Sequence, residues 1–136
     1  MKKLLIILSV FVLAGCASGN YAPGDRGPVG DNIVIPQEDG EEYEIIIMDN
    51  GFDRWFQTNA RPPDFYSLNY YENKNQMYVT SWNQNVSRFA GYTNSPFENR
   101  IDYQANEDYG MEVNYKLFYY FKYIENMFGR RFNFPG

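Results

Sequence analysis

Hydrophobic positions along the chain change period several times, and each change marks an element. Tyr43-Glu44-Ile45-Ile46-Ile47-Met48 is β-rich and almost continuously apolar, which predicts a strand covered on both faces. Asp49-Asn50-Gly51 then signals a turn, and Asn50 with Asp53 three residues on resembles a capping box. That box opens a short helix carrying Phe52, Trp55, Phe56 and Asn59 along one side, stopped by Arg61-Pro62-Pro63. A longer helix starts at Asp64 or Ser67 and runs to Arg88. Its stripe is Leu68, Tyr71, Tyr78, Val79, Trp82 and Val86. Asn75 falls on the stripe where Leu is expected, so it is either exposed at a bend or buried and hydrogen-bonded.

The stretch 89–108 carries Gly91, Asn94-Ser95-Pro96 and Asn99 and reads as loop, with Ile101-Asp102-Tyr103 a candidate to pair beside the first strand. The last helix starts from an Asp108 cap. Val113, Leu117, Phe118, Phe121, Ile124 and Phe128 follow helical spacing, Gly129 suits C′, and Arg130 and Arg131 sit at the negative end of the dipole. Ahead of all this, Ile33-Val34-Ile35 is a short edge-strand candidate stopped by Pro36. The expected fold is a small single α+β domain over 43–136, with two longer helices and one short helix packed on a two- or three-stranded sheet.

The N-terminal end carries an address. Met1-Lys2-Lys3 is a positive n-region, Leu4 to Leu13 an apolar run too short to span a bilayer, and small residues precede a cysteine. Leu13-Ala14-Gly15-Cys16 resembles the bacterial lipobox. The resemblance implies cleavage after residue 15 and lipid on Cys16, which would anchor the chain to a membrane. The expected organisation is therefore a signal peptide over 1–15, a lipidated flexible tether over 16–42 and the folded part after it. Residues 17–42 are rich in Gly and Pro, and six of the acids cluster there against Arg26 alone. Position 17 is Ala rather than Asp, which resembles sorting to the outer membrane. The first acid is Asp25, so a periplasm-facing anchor is expected over surface exposure.

Composition narrows the chemistry. Among 136 residues there is no His and one Cys, which excludes histidine acid–base catalysis, Cys/His zinc sites and an internal disulfide. The net charge of −5 falls to −7 once Lys2 and Lys3 leave with the signal, and 43–136 holds 11 acids and 9 bases with no basic stripe. Nucleic acid is not an expected partner. Aromatic residues make up 19% of the chain, so the core is built from rings more than from Leu and Val.

Candidate sites are sparse. Glu98/Asp102 and Glu107/Asp108/Glu112 are the acid groups available for a glycosidase-like pair, but the second sits at a helix start, where acids serve capping and the dipole. Asn106, Glu107 and Asp108 lack the spacing of a calcium loop, and no phosphate cradle or nucleophile elbow is present. Lys74 and Lys116 have no evident partner. An enzyme, a cofactor and a metal are all unexpected.

Rings are the stronger candidates. Trp55 and Trp82 lie on buried stripes, whereas Tyr70, Tyr119 and Tyr120 fall off them and form the candidate interaction surface. Leu117-Phe118-Tyr119-Tyr120-Phe121 is apolar all round its helix, so it is deeply buried or covered by a partner.

Tyr43–Met48, Glu72-Asn73-Lys74-Asn75, Trp82-Asn83 and Asp108-Tyr109-Gly110-Met111-Glu112-Val113-Asn114-Tyr115 resemble a family of small, uncharacterised bacterial lipoproteins, a domain of unknown function. The resemblance implies no activity, substrate or site beyond the lipidated cysteine. Two readings follow from the residues. One is a non-catalytic accessory lipoprotein docking on another envelope protein through its aromatic surface, which calls for an exposed apolar patch. The other is a glycan- or peptidoglycan-binding module using Tyr and the asparagines Asn69, Asn73, Asn75, Asn83 and Asn85, which calls for a groove edged by rings and amides.

Overall fold

The structure is a computed structural model that describes residues 33–35 and 45–136. The expected signal peptide, Cys16 and most of the expected tether lie outside the described residues. Two short strands come first, β1 (Ile33–Val34) and β2 (Ile46–Ile47), followed by α1 (Asn50–Asn59), a 3-10 turn (Pro63–Phe65), α2 (Leu68–Arg88) and α3 (Gly110–Phe132). The expected α+β layering is corrected. Among the described residues strand pairing is limited to an antiparallel ladder of Ile33 with Ile47 and Val34 with Ile46, and the helices pack on α3 rather than on that ladder. Nor is β2 covered on both faces: Ile45 is buried, but Ile46 and Met48 are exposed.

Local chemistry fixes the helix ends. The α1 cap is Asp49, whose Oδ1 accepts from the Gly51 and Phe52 amides at 2.8 and 3.1 Å, so the carboxylate one residue before Asn50 does the capping. Ser67 caps α2 through the Tyr70 amide at 3.2 Å. α3 runs past Gly129 to Phe132, and the left-handed cap residue is Asn133, with φ of 52°. Gly129 is small for another reason: a Cβ there would lie 2.9 Å from the Phe134 carbonyl, where the C-terminal segment folds back.

α3 is the central helix. Against α1 it runs antiparallel, with Phe52 facing Tyr120 and Tyr123 while Phe56 faces Tyr115 and Tyr119. Against α2 the contacts advance in the same sense: Asn75 meets Asn114, Tyr78 stacks on Phe121 at 5.1 Å, and Phe89, just past the end of α2, meets Phe132. Two helices running in the same sense need a return segment, and residues 89–109 supply it. That segment is tied to α2 rather than to a strand. Trp82 Nε1 donates to the Asn99 carbonyl at 2.9 Å, and the Asn83 side chain makes a reciprocal pair with the Ile101 backbone at 2.9 and 3.0 Å. The expected pairing of Ile101–Tyr103 beside the first strand is therefore also corrected.

Asn75 takes the buried alternative. Its Nδ2 donates to the carbonyl and Oδ1 of Asn114 at 2.9 and 3.1 Å, while Tyr103 donates to the same Oδ1 at 2.7 Å. Both asparagines are fully buried, so this cluster sets the register of α2, α3 and the return segment at one point.

Candidate functional site

The return segment lies along one flank of α2 and leaves a cleft of about 600 Å³ between them. Gln76, Thr80, Gln84 and Ser87 come from successive turns of α2, Val79 and Asn83 form the inner side, and Arg100 and Tyr103 stand on the return segment. A second cleft of about 480 Å³ shares Gln76, Thr80 and Gln84 and continues toward Met77, Ser81 and the C-terminal Pro135-Gly136. The shared side chains thus form a neutral ridge with polar space on both sides. One turn of helix rises about 5.4 Å, so the ridge from Gln76 to Gln84 is roughly 12 Å long.

A feature of the sequence underlies this geometry. Between Lys74 and Arg88 the helix carries no charged side chain. The solvated face of an amphipathic helix ordinarily carries charges along with neutral polar residues. Here it offers amides and hydroxyls with one exposed methionine, Met77.

The lining groups divide by how they are engaged. Asn83 engages the Ile101 backbone through both its Nδ2 and its Oδ1, and Thr80 Oγ1 donates to the Gln76 carbonyl at 2.8 Å while keeping acceptor capacity. The Gln76, Gln84 and Ser87 side chains make no hydrogen bond with a described residue. Tyr103 directs its hydroxyl inward to Asn114, so what it presents to the cleft is ring. That ring is backed by Tyr109, stacked at 4.8 Å. Burial, with the negative charge of Glu72 second, pushes the Tyr103 phenol up to about 12, so it is neutral at physiological pH. Amides, hydroxyls and an aromatic face suit a ligand with many hydroxyls and apolar ring faces.

The sequence-predicted aromatic surface does not form. Tyr119 is 5% exposed and Tyr120 is fully buried, so both belong to the core, a correction with a clear cause. α1 covers one side of α3 while α2 covers another. Tyr119 packs on Phe56 and accepts from the Arg61 amide at 3.0 Å; Tyr120 lies between Phe52 and Trp82. Tyr70 is half-buried, its ring stacked on Tyr66 at 4.2 Å with Lys74 Nζ 5.8 Å from its centroid. Among the described residues the exposed rings are Tyr92, 63% exposed and set against Phe89 at 5.6 Å, and Phe65, 48% exposed beneath the Arg61 guanidinium at 4.4 Å. Sequence reasoning missed the cleft residues on α2 other than Asn83. The charge-free run was the signal that would have found them.

The acids have other engagements. Asp102 accepts from Gln104 Nε2 at 2.6 Å, Asp108 Oδ1 from the Gly110 amide at 3.1 Å, and Glu112 pairs with Lys116 at 3.0 Å, which gives that lysine its partner. Of the asparagines, Asn69 and Asn73 bond to each other, Asn75 and Asn85 are buried, and Asn83 lines the cleft. Among the described residues no three His, Cys, Asp or Glu are grouped to hold a metal, and no helix is long and apolar enough to cross a membrane.

A model of a family of unknown function (DUF6146) matches residues 4–134. No curated protein and no solved structure matches the chain.

Proposed function

This chain belongs to the family of unknown function DUF6146, and on that footing we propose that it is an envelope lipoprotein whose folded part is a non-catalytic glycan-binding module. The anchor in this reading is lipid on Cys16, held at the outer membrane and facing the periplasm. Its support is the n-region, apolar run and Leu13-Ala14-Gly15-Cys16, acting in one order. The observation that carries the binding role is the α2 cleft, where free amides and hydroxyls meet the ring of Tyr103.

Three of the acids considered for catalysis (Asp102, Asp108 and Glu112) are engaged in local bonds away from the cleft lining, which favours binding over hydrolysis. The exposed Phe65 with Arg61 above it supports a second reading, docking on another envelope protein at the turn between α1 and α2.

Co-sedimentation of the full chain with purified cell-wall glycan tests the first reading. The wild type should sediment with it, and Gln76→Ala/Gln84→Ala should remain in the supernatant while keeping its circular dichroism. Equal sedimentation of the two would remove the cleft from the account. The anchor is tested separately by labelling cells with a palmitate analogue, expected on the wild type and absent from Cys16→Ser. Removal of the domain by external protease on intact cells would contradict the periplasmic orientation.

A further inference from the structure

Among the described residues Arg100 is the only charged side chain lining either cleft. Its guanidinium has one long bond, Nη1 to the Asn83 carbonyl at 3.4 Å, and forms no ion pair with any described residue. Its sequence neighbour Asp102 is held by Gln104. The wall opposite, α2 from Asn75 to Ser87, contributes no acid to neutralise it. A planar fork of donors with free N–H groups, set at the rim of a neutral polar cleft, is built to receive a carboxylate bidentately. Such a ligand must also overcome the net negative charge of the chain, which a local cation makes possible.

Resting on the glycan reading above, we infer that the ligand is an acidic saccharide, a pyranose bearing a carboxylate that pairs with Arg100. The cleft also fixes its direction. Arg100 reaches Asn83, near the C-terminal half of α2, whereas Tyr103 lies by Asn114 and feels the charge of Glu72 at the N-terminal half. The carboxylate therefore lies toward Ser87 and the uncharged part of the sugar toward Gln76 and Tyr103.

Calorimetric titration of the full lipidated chain in detergent micelles tests this. The probes are a neutral N-acetylglucosamine oligomer, an oligogalacturonate and a muramic-acid-containing disaccharide; the last two separate a uronate from a lactyl-ether carboxylate. One of the acidic sugars should bind at least about tenfold more tightly than the neutral one. Arg100→Gln should abolish that preference, so that acidic and neutral sugars bind the variant alike. Equal affinity for neutral and acidic sugars would overturn the inference and leave the glycan reading standing. Binding of none would overturn both. A preference that survives in Arg100→Gln would show that another group reads the charge.

Discussion

Gly51 sits in the first turn of α1, where Ala would ordinarily stabilise a helix by up to about 1 kcal/mol. In this fold the opposite is expected. A Cβ at position 51 would lie 2.5 Å from the Tyr123 hydroxyl and 3.0 Å from Asp49 Oδ1. Tyr123 cannot simply swing aside. Its ring lies among Phe52, Trp55 and Tyr120 at centroid distances of 5.9, 5.8 and 6.2 Å, and burial followed by the nearby negative charge of Asp49 raises its phenol pKa. Relieving the clash means disturbing the α1 cap, worth about 1 kcal/mol, or overpacking the junction of α1 with α3, which costs about 1–3 kcal/mol. After the propensity gain, Gly51→Ala should destabilise by up to about 2 kcal/mol. In a domain this size each kcal/mol moves Tm by roughly 4–8 °C. Tyr123→Phe removes the clashing atom, so the double variant should be at least about 1 kcal/mol more stable than the sum of the singles predicts. Thermal and urea unfolding of the four proteins gives the cycle. A Gly51→Ala protein more stable than wild type, or additive effects, would refute the close approach of α3 to this turn.

Phe121→Ala should cost about 3–5 kcal/mol, because the ring is fully buried between Tyr78, Trp82 and Phe134; urea unfolding checks it, and an unmoved midpoint would put Phe121 at the surface. Asn114→Ala leaves the Tyr103 hydroxyl and one Asn75 bond unmet in the interior, for a loss of about 3 kcal/mol by the same assay. Alkaline pH should unfold the domain. Tyr78, Tyr103 and Tyr120 all have phenols raised above 10.0 by burial, so the unfolded chain loses these protons first. Stability is then fully present below pH 10 and falls as pH rises through about 12, the value for Tyr103. Tm measured against pH, together with tyrosinate absorbance, should show ionisation and unfolding rising together.

The long helices were legible because each keeps an apolar stripe, and Ser67 is a strong cap. The role of α3 was not legible. A stripe analysis assigns one buried face, but α3 is covered by α1 and α2 together, so Tyr119 and Tyr120, off its stripe, are core. The apolar run Leu117–Phe121 already carried that message, since a helix apolar all round has more than one neighbour. The error lay in giving the second face to an outside partner when α1 supplies it. The strand failed for a related reason: Tyr43–Met48 has the composition of a central strand, but among the described residues no layer covers Ile46 and Met48, which are exposed. The cleft is tertiary. It exists because α2 and α3 run in the same sense and the return segment must lie alongside α2, a relation no local pattern encodes.

Chemical-shift mapping of the isotope-labelled full chain with an acidic saccharide tests the central claim most directly. The account predicts saturable shifts confined to Gln76, Thr80, Gln84, Ser87, Arg100 and Tyr103, with the rest of the spectrum unmoved. An unperturbed spectrum at saturating sugar, or shifts centred on Phe65 and Tyr66 instead, would contradict it.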